Sequence, residues 1–211
     1  MNLPRVYPIL DTQALAARGC QAATAARAFL DGGARILQFR HKSQWTRATF
    51  EQAERIAAVC RESDAVFVVN DRADVAMLFQ AGMHVGQDDL DPADVRRLLG
   101  PDAVVGYSTH NSEQISEAAA APVNYLAFGP IFGTVSKQNP DPMVGIEQLE
   151  RCRASCLRPL VAIGGITRQN ARAVFAAGAD TVAVIADLLP EPCTSATLRR
   201  RMEEWQQLAQ K

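Results

Sequence analysis

A few short stretches of the chain concentrate groups able to manage phosphate charge. "QFRHK" places Gln38, Arg40 and Lys42 at every second position, so on an extended strand all three side chains share one side. "NDR" supplies Asn70 and Asp71, and "HVGQDD" supplies Gln87, Asp88 and Asp89. Asp71 and Asp89 stand 18 residues apart, each just beyond a short apolar run. Two carboxylates among several cations make a poor stabilising cluster, because exposed ion pairs contribute only about 0–1 kcal/mol. They suit a metal-bound polyphosphate: Mg²⁺ prefers one or two carboxylates, completed by phosphate oxygens and water. Arg40, Lys42 and Lys137 would neutralise the remaining charge, with Arg40 able to bind bidentately. Gly164 and Gly165 in "AIGGI", ahead of a predicted helix, offer bare backbone amides as a second anion site.

These groups need a scaffold that brings them to one place. Short runs rich in branched apolar residues recur at 5–10, 36–39, 65–69, 83–85, 103–108, 125–129, 160–165 and 181–186, and read as buried strands. Between them lie Ala-, Glu- and Arg-rich segments with helical spacing, among them 14–30, 50–60, 146–155 and 169–177. Thr167 stands as a cap before one helix, and Gly32, Gly100 and Gly178 follow others. Strict alternation of eight strands with helices, without a linker or change of composition, predicts one α/β domain over 1–211: a closed (β/α)₈ TIM barrel. A doubly wound open sheet fits less well, since no GxGxxG follows the first strand. In such a barrel functional groups sit where strands end, so Asp71 and Asp89, after strands three and four, share a rim and can share an ion.

Bulk composition narrows the partners. A net charge of −1 over 211 residues argues against capture of nucleic acid or an anionic membrane surface. No apolar run approaches a membrane span, and Pro4, Arg5 and Asp11 interrupt the N-terminus too early for a secretory signal. Five cysteines without a CxxC pair read as reduced, mostly buried thiols of a cytoplasmic protein. A homodimer is left open, since an apolar helix face serves equally as subunit contact or barrel core.

The histidines divide. His84 lies inside a short strand and reads as a packed or hydrogen-bonded residue; His110, after strand five beside Ser108, is placed to act on a proton. Alternation turns His41 away from its neighbours, and Trp45 and Trp205 carry no specific signal.

Taken together, "QFRHK", "NDR", "HVGQDD", "GYSTH", "GPIFGTVSK" and "AIGGI" resemble the thiamine-phosphate synthase family across essentially the whole chain. The resemblance implies a (β/α)₈ barrel that joins hydroxymethylpyrimidine diphosphate to hydroxyethylthiazole phosphate. It implies Mg²⁺ held by Asp71 and Asp89, and a substrate-lining segment of Gln38, Phe39, Arg40, His41 and Lys42, with Gln38 at the pyrimidine. Arg40, Lys42, Asn70, Ser108 and Lys137 would hold the pyrimidine and its diphosphate, with Arg40, Lys42 and Lys137 as the catalytic cations. Thr134, Val135, Ser136, Gly165, Ile185 and Ala186 would hold the thiazole phosphate. The family's dissociative chemistry, in which pyrophosphate leaves before the thiazole nitrogen attacks, needs leaving-group stabilisation and alignment but no protein nucleophile. No Ser/His/Asp or Cys/His arrangement is evident.

The chain departs from the family pattern at Ala186, usually serine, at Gly133, more often proline, and at His41, often glutamate. The stretch between Asp71 and Asp89 is one residue short. Two rival readings are a thiazole tautomerase of the same fold using His110, and a non-catalytic barrel binding thiamine phosphate. Such tautomerase relatives tend to lose the aspartates and the QxRxK cations, all of which are present here.

Overall fold

The computed structural model describes residues 2–133 and 142–210. Eight parallel strands close a barrel in sequence order: β1 (Val6–Asp11), β2 (Ile36–Arg40), β3 (Val66–Asn70), β4 (Gly82–Val85), β5 (Val105–Thr109), β6 (Tyr125–Phe128), β7 (Leu160–Ile163) and β8 (Thr181–Val184). The eighth pairs with the first, Val6 opposite Val182, so the sheet has no free edge. The predicted barrel is therefore found, each strand within two residues of its expected bounds.

The helices are α1 (Thr12–Ala17), α2 (Ala22–Asp31), α3 (Arg47–Glu62), α4 (Ala73–Phe79), α5 (Pro92–Leu99), α6 (Ser112–Glu117), α7 (Gly145–Ser155), α8 (Ala171–Ala176) and α9 (Ser195–Ala209). Two differences from expectation have local causes. The helix predicted over 14–30 is two helices, because Gly19 takes φ +63° and Cys20 N–H donates to Leu15 O at 2.9 Å, a left-handed stop that ends α1. Thr167 does not cap α8: its N–H donates to the Asn170 side chain at 2.7 Å, and Asn170 is the capping position.

Strand alternation sorts side chains into two cores. Outward residues such as Leu10, Phe39, Val69 and Phe128 pack with the helices, alongside Phe29 and Trp205. Inward residues Tyr7, Ile9, Ile36, Val68, Tyr125, Ala127, Val161 and Ala183 fill the barrel. Each fully buried aliphatic side chain contributes about 1.5–3 kcal/mol, so both layers hold the rim rigid. Among the described residues no helix is long and apolar enough to cross a membrane. All five cysteines are free thiols, four of them buried.

Candidate active site

At the C-terminal ends of the strands a cavity of about 660 Å³ opens into the barrel. Gln38, Arg40 and Lys42 line it, as their spacing predicted, together with Asn70, Asp71, Asp88, Asp89, Ser108 and His110. At the opposite wall stand Gly164, Gly165, Thr167, Ile185, Ala186 and Asp187. Phe39 and His41 are not brought to it. Phe39 is wholly buried in the outer core, and His41 stacks on it while its Nδ1 meets Thr12 Oγ1 at 2.8 Å. Alternation decides this: neighbours of inward residues on a strand must face outward. Thr134, Val135, Ser136 and Lys137 lie outside the described residues.

The acidic end is built by adjacent strands. Asp71 follows β3 in a left-handed conformation, φ +63°, which costs a non-glycine residue on the order of 1–3 kcal/mol and clusters at functional sites. Its N–H donates to His84 O at 3.0 Å, tying the turn to β4. Lys42 Nζ reaches Asp71 Oδ2 at 2.5 Å, and Asp89 lines the same cavity. Asp89 is itself fixed by the Gly86 N–H, which donates to its Oδ2 at 2.7 Å. Burial pushes the Asp71 carboxyl above its ordinary value; Lys42 pulls it down, Asp89 pushes it up, and the net is a rise. Two such carboxylates side by side are relieved by a shared cation. Among the described residues no cluster of three or more Asp, Glu, His or Cys could hold a metal. Two carboxylates alone match a hard cation that takes its other ligands from substrate and water.

Nearby, Asn70 is buried, and its Nδ2 atom has no hydrogen-bond partner although it lines the cavity. A buried amide donor without a partner costs about 1–3 kcal/mol, so this one is a donor free to meet an acceptor atom of a ligand. Arg40, its side chain 12% exposed, pairs with the buried Asp11 carboxylate.

The floor is a polar belt that sequence reading missed. Gln38 Nε2 donates to Tyr7 Oη at 3.1 Å, and Tyr7 Oη meets Tyr125 Oη at 3.1 Å. Tyr125 Oη then meets His84 Nδ1 at 3.0 Å, while His84 Nε2 meets Ser108 Oγ at 2.9 Å. Five residues from five strands thus fix one another's orientation beneath the cavity. Burial raises both tyrosine hydroxyls far above their ordinary range, so they stay neutral donors. Their signal was available: a tyrosine at an inward barrel position needs a partner for its hydroxyl. His84 is the hydrogen-bonded residue expected, yet it also lines the cavity. His110 Nδ1 lies 2.7 Å from Gly129 O, and since a carbonyl only accepts, this nitrogen carries the proton.

The opposite wall is shaped by close approach. Gly164 and Gly165 take φ +99° and +62°, and a Cβ on Gly164 would sit 2.4 Å from Pro130 Cβ. No other residue fits there. The glycines were expected at a helix's positive end, but α8 begins only at Ala171. Loop curvature rather than a helix dipole therefore presents this backbone.

Comparisons with known proteins point to one family. A family model described as thiamine monophosphate synthase matches residues 6–188. The chain is 44% identical over 211 residues to the thiamine-phosphate synthase of Koribacter versatilis, covering 99% of this chain and 97% of that one. It is 43% identical over 185 residues to the thiamine-phosphate synthase of Chlorobium phaeovibrioides, covering 86% and 88% of the two chains. Among solved structures it is similar to thiamine phosphate pyrophosphorylase from Pyrococcus furiosus, with TM-score 0.85 and 31% identity over 99% of this chain and 96% of that one. With these matches spanning the barrel and its rim, the chain belongs to the thiamine monophosphate synthase family.

Proposed function

We propose that this enzyme joins 4-amino-2-methyl-5-hydroxymethylpyrimidine diphosphate to hydroxyethylthiazole phosphate, giving thiamine phosphate and pyrophosphate. The observation that carries the reading is a single cavity combining two converging carboxylates, two cations and an unpartnered buried amide at one end with a glycine-walled backbone at the other. A diphosphate and a monophosphate ask for those two different ends, and the polar belt between them suits a flat heterocycle bearing nitrogens.

Asp71 and Asp89 would hold Mg²⁺, which supplies charge neutralisation to the departing pyrophosphate. Arg40 and Lys42 add fixed positive charge at the same end, and the Asn70 amide donates to a diphosphate oxygen. Gln38, anchored through Tyr7, orients the pyrimidine, and Ser108 is oriented by His84. In the dissociative route the bond from the pyrimidine methylene carbon to the diphosphate oxygen breaks, and its electron pair leaves with pyrophosphate. The amino-substituted ring stabilises the resulting cation, and the thiazole nitrogen lone pair forms the new bond. No proton has to move and no protein group has to attack. Gly165 and the backbone at Ile185 and Ala186 align the thiazole phosphate; a backbone contact makes alanine in place of serine at 186 harmless. Thr134, Val135, Ser136 and Lys137 join this reading through the resemblance alone. The free thiols fit a cytoplasmic setting.

The test is pyrophosphate release by the purified protein, parent beside Asp71→Ala. Release that needs both substrates and Mg²⁺, and falls by at least a hundredfold in the variant, supports the reading. Absence of release by the parent, with thiazole phosphate still binding, would transfer the site to proton chemistry on the thiazole and to His110.

A further inference from the structure

Asp187 stands where a carboxylate is least expected, directly after Ile185 and Ala186 on the wall that would receive the thiazole phosphate. A free negative charge there would repel a phosphate dianion. Its Oδ2 is instead engaged by two donors from other parts of the chain. Arg168 Nε, on the loop after β7, donates at 3.0 Å, and Trp205 Nε1, on α9, donates at 2.9 Å. The carboxylate is nearly buried, with 12% of the side chain exposed, and Trp205 is wholly so. Arg168 also pairs with Glu204 of α9, whose carboxylate accepts from Arg201 Nε at 3.2 Å, while Arg201 Nη1 donates to Asp187 O. The backbone from Ala186 to Leu188 is a single 3-10 turn, a conformation with weak hydrogen-bond geometry that holds its shape through its neighbours.

We infer that Asp187 and Arg168 form a neutralised positioning pair that aims the backbone after β8 at the thiazole phosphate, with Arg168 cancelling the negative charge of Asp187. The inference rests on the proposed substrate pair. It goes further in assigning a role to residues absent from the motifs, and in making monophosphate affinity depend on the neutralisation of Asp187 rather than on a group that holds the ligand. Asp187 reaches α9 through Trp205, so the C-terminal helix supports substrate affinity as well as the barrel core. Neither Arg168 nor Asp187 is a catalytic residue in this account.

A surface ion pair of purely structural value would shift the melting temperature and leave kinetic constants alone, which gives the test its readout. In steady-state kinetics Arg168→Ala should raise KM for the thiazole phosphate roughly tenfold, the scale of a lost charge-assisted contact, with kcat and the KM for the pyrimidine diphosphate changing less than about twofold. Adding Asp187→Asn to Arg168→Ala should recover most of that loss, because the carboxamide oxygen still accepts from Trp205 while the repelling charge is gone. Both KM values rising together, neither changing, or a double variant no better than the single would overturn the pair's role. Calorimetric titration of thiazole phosphate alone reads the pair without turnover. Weaker binding in Arg168→Ala supports the inference even if the parent releases no pyrophosphate, and equal binding overturns it even if the parent is active.

Discussion

Asp11 and Arg40 sit opposite each other in the register of β1 and β2, and the carboxylate of one holds the guanidinium of the other at the mouth of the barrel. Asp11 serves two elements at once: Oδ1 accepts the Ala14 N–H at 2.9 Å and caps α1, while Oδ2 holds Arg40. Asp11→Ala removes a helix cap, about 0.5–2 kcal/mol, and leaves a partly buried guanidinium without its partner, about 1–3 kcal/mol more. Asp11→Asn keeps an acceptor for the cap. Calorimetry should therefore show Asp11→Ala melting well below Asp11→Asn, with kcat/KM down at least tenfold in both because Arg40 is no longer held. Equal melting temperatures would contradict the double role.

The raised Asp71 carboxyl makes a pH prediction. A folded-state value above the unfolded one, about 3.9, means the group's contribution to stability is fully present below that pH and is lost as pH rises through the folded value. Without metal, Asp71→Asn should gain in melting temperature over the parent as pH is raised from acid to neutral. Mg²⁺ should then stabilise the parent and leave the variant unmoved. A pH-independent difference would show that Asp71 is not strained by ionisation.

The belt beneath the cavity depends on a missing side chain. A Cβ at residue 106 would lie 2.0 Å from Tyr125 Cζ, inside a ring that is fully buried. Gly106→Ala must displace that ring, at a cost of about 1–3 kcal/mol or more, and break its contacts to Tyr7 and His84. Turnover should drop at least tenfold, with denaturant midpoints lowered in parallel. Tyr125→Phe separates the two effects: it keeps the packing, removes the hydroxyl, and should cost activity with a smaller loss of stability, about 1–2 kcal/mol.

Burial pushes the Cys60 thiol up to about 12, with the Arg61 charge pulling the other way. Iodoacetamide at pH 8 should leave Cys60 unmodified in the native protein and label it once guanidinium unfolds the chain, as read by peptide mass spectrometry. Because the folded value lies above the unfolded one, about 8.5, this thiol's contribution to stability is complete below that pH and disappears as pH climbs toward 12. Rapid native labelling would mean that the contact between α3 and the barrel opens locally.

The barrel was legible because each strand is a short branched-apolar run and each connection a helical one, a pattern that depends on no distant contact. The acidic pair was legible for the same reason, since strand order alone brings Asp71 and Asp89 together. Residues whose role depends on register across the barrel were hidden. Tyr7, Tyr125 and His84 meet only once β1, β6 and β4 face one another, and Asp11 looks like an ordinary helix cap until Arg40 is placed beside it. The resemblance implies Phe39 and His41 at the substrate because they lie within a contiguous motif, whereas strict alternation turns them outward. The division between α1 and α2 could have been read from Gly19, the one residue there suited to a left-handed stop. Asp187 gave no motif at all, because its partners Arg168 and Trp205 come from two other elements.

The most direct test of the central claim is product stoichiometry. The purified enzyme is incubated with both substrates and Mg²⁺, and thiamine phosphate and pyrophosphate are quantified together by mass spectrometry. One thiamine phosphate should form for each pyrophosphate, with neither product when either substrate is withheld. Pyrophosphate released without thiamine phosphate would make the site a hydrolase and contradict the assignment of its glycine-walled end to a second substrate.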